Sequence, residues 1–328
     1  MQSILSADIG GTKTILQFSK HGSDHCEIIK KQIYASADFP QFLPLIESFI
    51  DEIGPIDAAC LAVAGPVQRT KQDVNAKVTN LPWELNNLDL QNKLNIPQVY
   101  LINDFQAIGY AIEHLTEQDL KILQSGKEQK HGVRAVIGAG TGLGQAILVY
   151  QNTNYEVLGT EGGHVDFAPN SEIEVGLYQF LNNRYPHVSY ERILSGQGLV
   201  NIFQFLLEIT EQSEKEIHEN ILQAEDVAAA ISQQAQANSN NLAVYAMEIF
   251  CKIYGAQAGN LALSCLANGG VYIAGGIAAK NLKLIENSEL LTAFNAKGRM
   301  QSLTENMPVK VITNPEAGLL GAMQYAIR

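Results

Sequence analysis

Ser6-Ala7-Asp8-Ile9-Gly10-Gly11-Thr12 is echoed later in the chain by Val136-Ile137-Gly138-Ala139-Gly140-Thr141-Gly142. Each is an apolar run ending in a glycine turn that carries threonine. Each is followed by a second strand-like run, at residues 14–18 and 146–150, rich in the apolar and β-branched residues that strands favour. Strand, glycine turn, strand, occurring twice, implies two related α/β halves facing one another. The length agrees, because 328 residues at roughly 100–200 per domain make about two domains.

Further strands are expected at residues 3–8, 28–34, 58–64, 99–102, 135–137, 155–158, 271–274 and 309–312. Helical spacing of apolar residues predicts helices over 42–53, 105–112, 242–266 and 318–327. From about Ile173 the chain reads as mostly helical. Strands mixed with helices along the whole length argue an α/β fold rather than separate all-α and all-β domains.

Composition narrows the function classes. Hydrophobic residues make up 46%, so intrinsic disorder is excluded. The 34 Asp+Glu outweigh 22 Lys+Arg for a net charge of −12, which excludes a broad nucleic-acid surface. Residues 253–279 carry no charge, yet Gln257, Asn260, Ser264, Asn268 and two glycine pairs make them a buried helix and strand rather than a membrane span. No secretory signal precedes the first strand. Cys26, Cys60, Cys251 and Cys265 show neither C-x-x-C nor zinc-ligand spacing, and no Asn-x-Ser/Thr acceptor occurs, so a cytoplasmic protein is expected.

Consecutive glycines in a hairpin turn present backbone N–H groups with no Cβ in the way, a concavity suited to phosphate oxygens, and threonine adds a hydroxyl donor. These turns are not P-loops, since no lysine follows the final glycine of a G-x-x-x-x-G-K pattern. Nor are they dinucleotide turns: Leu143 occupies the third glycine place after Gly138, and both turns lead into strands. Asp8, at the end of the first strand, either holds Mg²⁺ through water beside the phosphates or caps its own turn. Asn103-Asp104, where a strand passes into a helix, offers a helix cap or a general base at the ligand-binding edge of a parallel sheet. Asn103 supplies a donor and an acceptor for a sugar hydroxyl. Glu161-Gly162-Gly163-His164-Val165-Asp166 sets ionisable groups beside exposed backbone. A lone histidine there makes a polyhydroxylated ligand a better fit than a metal.

In order, and over essentially the full chain, these segments resemble the bacterial-type glucokinases of the hexokinase–actin–sugar kinase superfamily. The resemblance rests on Asp8-Ile9-Gly10-Gly11-Thr12, Leu101-Ile102-Asn103-Asp104-Phe105, Gly138 to Gly144, Glu161 to Pro169, Glu191-Arg192-Ile193-Leu194-Ser195-Gly196 and Ile273-Ala274-Gly275-Gly276-Ile277. It implies a two-domain actin-like/hexokinase (ribonuclease H-like) α/β fold with a cleft between a small and a large domain. The small domain would span residues 1–114 plus 312–328, and the large one 115–311. It also implies ATP-dependent phosphorylation of glucose with Mg²⁺. ATP would be bound by Asp8, Gly10, Gly11, Thr12, Gly138, Gly140, Thr141, Gly275 and Gly276, with Mg²⁺ on Asp8 through water. The sugar would be held by Asn103, Asp104, Glu161, His164 and Glu191, with Asp104 as the base. A homodimer is implied, with no nucleic-acid or membrane partner. Lys13 departs from the asparagine that many of these glucokinases carry after Gly-Gly-Thr. The rival readings are a kinase of another hexose or amino sugar, an actin-like ATPase, and a sugar-sensing regulator. The sugar-facing residues weigh against the ATPase, and the acidic balance against a DNA-binding regulator.

Overall fold

Alternation of side chains along the first strand sets up everything that follows. In the computed structural model, which describes residues 1–22, 25–211, 218 and 220–328, β1 (Gln2–Ile9) sends Leu5, Ala7 and Ile9 into one apolar core. Ile4 points the opposite way into a second core, and the period of two puts Asp8 on that same face. The neighbouring strands obey the same rule. β4 (Ala58–Val63) splits Ala59, Leu61 and Val63 from Ala58, Cys60 and Ala62 between the two cores.

The chain divides into two compact units. Unit 1 comprises Met1–Thr116, Tyr155–Gly159 and Glu316–Arg328, and unit 2 comprises Glu117–Asn154 and Thr160–Pro315. With β2 (Lys13–His21), β3 (Cys26–Ala35), β5 (Val67–Arg69), β6 (Val74–Lys77), β7 (Glu84–Asn86) and β8 (Gln98–Asn103), unit 1 builds a five-stranded sheet ordered β3-β2-β1-β4-β8 and a small sheet β5-β6-β7. The β1–β2 pair is an antiparallel hairpin, and β4 and β8 add in parallel. The helix Phe42–Ile50 covers one face through Phe42, Leu45, Ile46 and Phe49. It stops three residues short of the expected end. Helices Asp104–Ala111 and Ala317–Ile327 cover the other face through Ala107, Ala322, Met323 and Ala326.

Unit 2 repeats the scheme. The remaining strands are β9 (Leu120–Gln124), β10 (Arg134–Ala139), β11 (Leu143–Gln151), β12 (Asn154–Thr160, of which Tyr155–Gly159 count with unit 1), β13 (Gly270–Ala274) and β14 (Val309–Ile312), in the sheet order β12-β11-β10-β13-β14-β9. β10 and β11 form an antiparallel hairpin, and β13 lies parallel to β10, as β4 does to β1. The echo in the sequence is therefore an echo in topology. Ala135, Ile137 and Ala139 face a helical core that includes most of the long helix Asn241–Cys265. The uncharged stretch 253–279 is the buried end of that helix followed by β13, and no helix among the described residues is long and apolar enough to cross a membrane. Within the helical block, residues 212–217 and 219 lie outside the described residues.

Candidate active site

In unit 1 the turn from β1 to β2 is closed by Gly10 N donating to Lys13 O at 3.0 Å. Ser36, fully buried, braces it from behind: its N–H donates to Thr12 O at 3.0 Å and its Oγ to Gly10 O at 2.8 Å. A Cβ on Gly11 would lie 3.2 Å from Thr79 O, so glycine lets the turn settle against that segment. Thr12 remains exposed. Nothing in the sequence singles out Ser36, a lone serine after a strand.

Asp8 lies on the sheet face covered by the helices Asp104–Ala111 and Ala317–Ile327. Its carboxylate accepts no hydrogen bond from the described residues, which removes the turn-capping reading. A Cβ on Gly318 would stand 3.3 Å from its Oδ2. Burial holds the Asp8 carboxyl above the usual carboxylate range, and the charge of Lys13 pulls it part of the way back.

The helix cap at Asp104 proves to be its neighbour. Asn103 is the N-cap: its Oδ1 accepts from Phe105 N at 2.9 Å, its Nδ2 donates to Gly65 O at 3.2 Å, and its N–H donates to Gln106 Oε1 at 3.2 Å. Asp104 is the first helical residue: its Oδ1 accepts from the same Phe105 N–H, at 3.0 Å, and its carboxyl also draws on its own N–H and on the Asn103 side chain. Burial, reinforced by the like charge of Asp8, pushes the Asp104 carboxyl up to about 7. A carboxyl that gains and loses its proton near neutrality is suited to general base work.

In unit 2 the β10–β11 turn has one open residue. No atom lies within 4 Å of a Cβ built on Gly140, while its carbonyl accepts from Gly196 N at 2.8 Å. Gly138 sits within β10, paired with Gly144, and Thr141 is exposed. The fully buried Tyr254 hydroxyl accepts from Ala139 N at 3.1 Å and lies 3.2 Å from Ile137 O and 3.3 Å from Ala274 O. It thereby ties the ends of β10 and β13 immediately before their glycines. Gly275 has φ 86°, and a Cβ there would overlap Ala139 O, so the chain needs glycine at that point. Gly276 is open to any approach.

The strand β12 leads into Glu161 and a short turn, Gly162–His164. The His164 ring stands between two carboxylates, Nε2 at 3.8 Å from Glu161 Oε2 and Nδ1 at 3.9 Å from Glu191 Oε1. Glu191 enters from the turn Tyr190–Arg192, and its Oε2 accepts from Leu143 N at 2.9 Å. Glu161, His164 and Glu191 thus converge in unit 2, as Asp8, Asn103 and Asp104 gather in unit 1. Gln145, missed by sequence reading, lies beside Gly162 with its Nε2 buried and unpartnered. Among the described residues no three His, Cys, Asp or Glu side chains form a cage for a metal ion.

The family model described as Glucokinase matches residues 5–328. A protein of Nostoc punctiforme named Glucokinase is 44% identical over 100% of both chains. The crystal structure of a glucokinase from an Antarctic psychrotroph superposes with a TM-score of 0.82 at 29% identity, covering 100% of this chain and 99% of that one. A Balamuthia mandrillaris glucokinase solved in complex with glucose shares the fold, with a TM-score of 0.80 at 24% identity over 100% and 94% of the two chains.

Proposed function

The chain belongs to the glucokinase family, and from that premise we propose how its residues carry the γ-phosphoryl group of ATP to the 6-hydroxyl of glucose. The observation that carries the reading is Asp104, a carboxyl raised to about 7 that is free of the capping duty its position suggested. Asp104 accepts the proton of the 6-hydroxyl as that oxygen attacks the γ-phosphorus. The bond from the γ-phosphorus to its bridging oxygen breaks, ADP departs, and Asp104 returns the proton to solvent.

The transition state spreads charge over the transferred oxygens, so the remaining work is positioning and electrostatics. Backbone N–H groups at Gly10, Gly11 and Gly140, with the Thr12 and Thr141 hydroxyls, hold phosphates. Gly138 keeps the second hairpin narrow, and Gly275-Gly276 lets the nucleotide approach the main chain. Glu161, His164 and Glu191 hold the other hydroxyls of the sugar, with Asn103 beside Asp104 as a further contact.

Burial raises both carboxyls, the charge of Asp8 raises Asp104 further, and Asp8 has no hydrogen-bond donor from the described residues. That pair suits a hard dication with oxygen ligands, and Asp8 would hold Mg²⁺ through water. Held there, Mg²⁺ would supply neutralisation of phosphate charge. The same reading makes residues 1–114 plus 312–328 the small domain and 115–311 the large one, in a cytoplasmic homodimer.

The test is ADP release over a panel of hexoses and amino sugars, with ATP and polyphosphate as donors. Saturable, glucose-dependent release from ATP is the expected result. Equal release without any sugar would overturn the reading in favour of an ATPase.

A further inference from the structure

Gly142 is a glycine without a backbone reason. Its φ lies outside the left-handed region, so any residue could adopt its conformation. Two positions earlier, Gly140 has open space where a Cβ would go. At Gly142 that space is filled by Glu191: a Cβ would overlap its Oε2 and lie 3.2 Å from its Cδ. The missing side chain is what lets Glu191 reach the Leu143 N–H at 2.9 Å, a bond strengthened by the carboxylate's charge.

The same residue, Leu143, through its carbonyl supports the second sugar-facing segment. A Cβ on Gly163 would overlap Leu143 O and stand 3.1 Å from Leu143 Cβ, so the chain leading into His164 rests on Leu143. Leu143 itself is anchored, 5% exposed, in the core that also holds Ile193 and Leu194. A further tie joins the same segments, where Gly196 N donates to Gly140 O at 2.8 Å and Ser195 Oγ to Glu191 O at 2.8 Å. One oxygen of Glu191 is therefore fixed by the hairpin, while the other stays beside His164.

We propose that Gly142 and the Leu143 main chain are positioning elements for the sugar, so that the hairpin assigned to phosphate also sets the geometry of the sugar grip. The proposal rests on the reading of Glu191 and His164 as sugar-holding groups. It makes an unusual claim: a change in the nucleotide turn should alter glucose binding with no nucleotide present.

Gly142→Ala is the direct test, read by calorimetric titration with glucose alone and by ATP kinetics. Glucose Kd is expected to rise roughly tenfold, the scale for one lost hydrogen bond to a charged group, with the KM for ATP unchanged. Glu191→Asp withdraws the carboxylate by one methylene and makes room for the new Cβ. Gly142→Ala should therefore cost far less glucose affinity in the Glu191→Asp background than alone, a non-additivity that general loosening would not produce. The double variant also keeps the test available if Gly142→Ala alone does not fold, by comparison with Glu191→Asp. A folded Gly142→Ala with normal glucose Kd, or equal losses in both backgrounds, overturns the link between the hairpin and the grip. If Glu191→Ala leaves glucose binding intact, the sugar reading of Glu191 itself fails, which is a separate result.

Discussion

Replacing Asp104 by asparagine should cost activity and add stability. A carboxyl moved from 3.8 to about 7 costs about 4 kcal/mol to ionise in place, at about 1.4 kcal/mol for each tenfold change. Its partly open face lets solvent screen the charge and reduces this to about 1–3 kcal/mol. The folded carboxyl keeps its proton up to about 7, while the unfolded chain releases it near 3.8. Stability therefore falls as pH rises between those values, and the penalty is complete above them. An amide never ionises, so the variant escapes the penalty. The cap survives as well, because Phe105 N still finds Asn103 Oδ1 at 2.9 Å. At pH 8 the variant should melt a few degrees above the parent, with the gap closing toward pH 4. Its kcat should fall by about 10²–10⁴-fold for want of a base, with glucose still bound. Thermal melts at several pH values and glucose-dependent ADP release, on one preparation, decide the matter. Near-normal turnover would remove Asp104 as the base. A lower Tm at pH 8 would show that its charge supports the fold instead.

Gly140→Val adds atoms where the protein has none within 4 Å, so the fold should stand while the KM for ATP rises; unchanged ATP kinetics would refute the phosphate-turn reading. Gly11→Val is less clean, since Thr79 O already lies 3.2 Å from its Cβ position. Because the base must be ionised, kcat/KM for glucose should climb with pH through about 7; Asp8→Asn removes a like charge and should move the midpoint of the residual activity to lower pH. A midpoint that stays put would deny that the two carboxyls interact. Tyr254→Phe should cost about 1–3 kcal/mol of stability by stranding Ala139 N and should raise the KM for ATP, with calorimetric glucose Kd unaltered; a shift in glucose affinity alone would contradict that assignment.

The parts legible in the sequence were those with a local signature. Glycine turns after apolar runs located both hairpins, and the spacing in 242–266 located the long helix to within a residue at each end. The small sheet was not legible, because Val67–Arg69, Val74–Lys77 and Glu84–Asn86 are three to four residues long and carry Gln, Asn and Lys in place of a β-rich run. Asp104 was found, but its duty was ambiguous. Only the structure shows Asn103 taking the cap, since Asn and Asp are near-equal cap formers. Tyr254 was invisible for another reason: within an apolar helix its ring reads as core, and the hydroxyl's partners lie in strands far away in sequence. Glu161, His164 and Glu191 were proposed together from family resemblance, but their shared support on Leu143 depends on a strand register that no local pattern encodes.

The helix Ala317–Ile327 belongs to unit 1, yet the ribosome makes it after all of 117–315. It lies so close to the helix Asp104–Ala111 that a Cβ on Gly321 would overlap Ala107 O. Until it arrives, the sheet face bearing Ile4, Ala58, Cys60, Ala62 and Ile102 lacks half of its cover. At about 5–20 residues per second, the roughly 200 intervening residues keep that face open for roughly 10–40 s of synthesis. Unit 1 thus begins first and finishes last, with that sheet face the last part of its core to close.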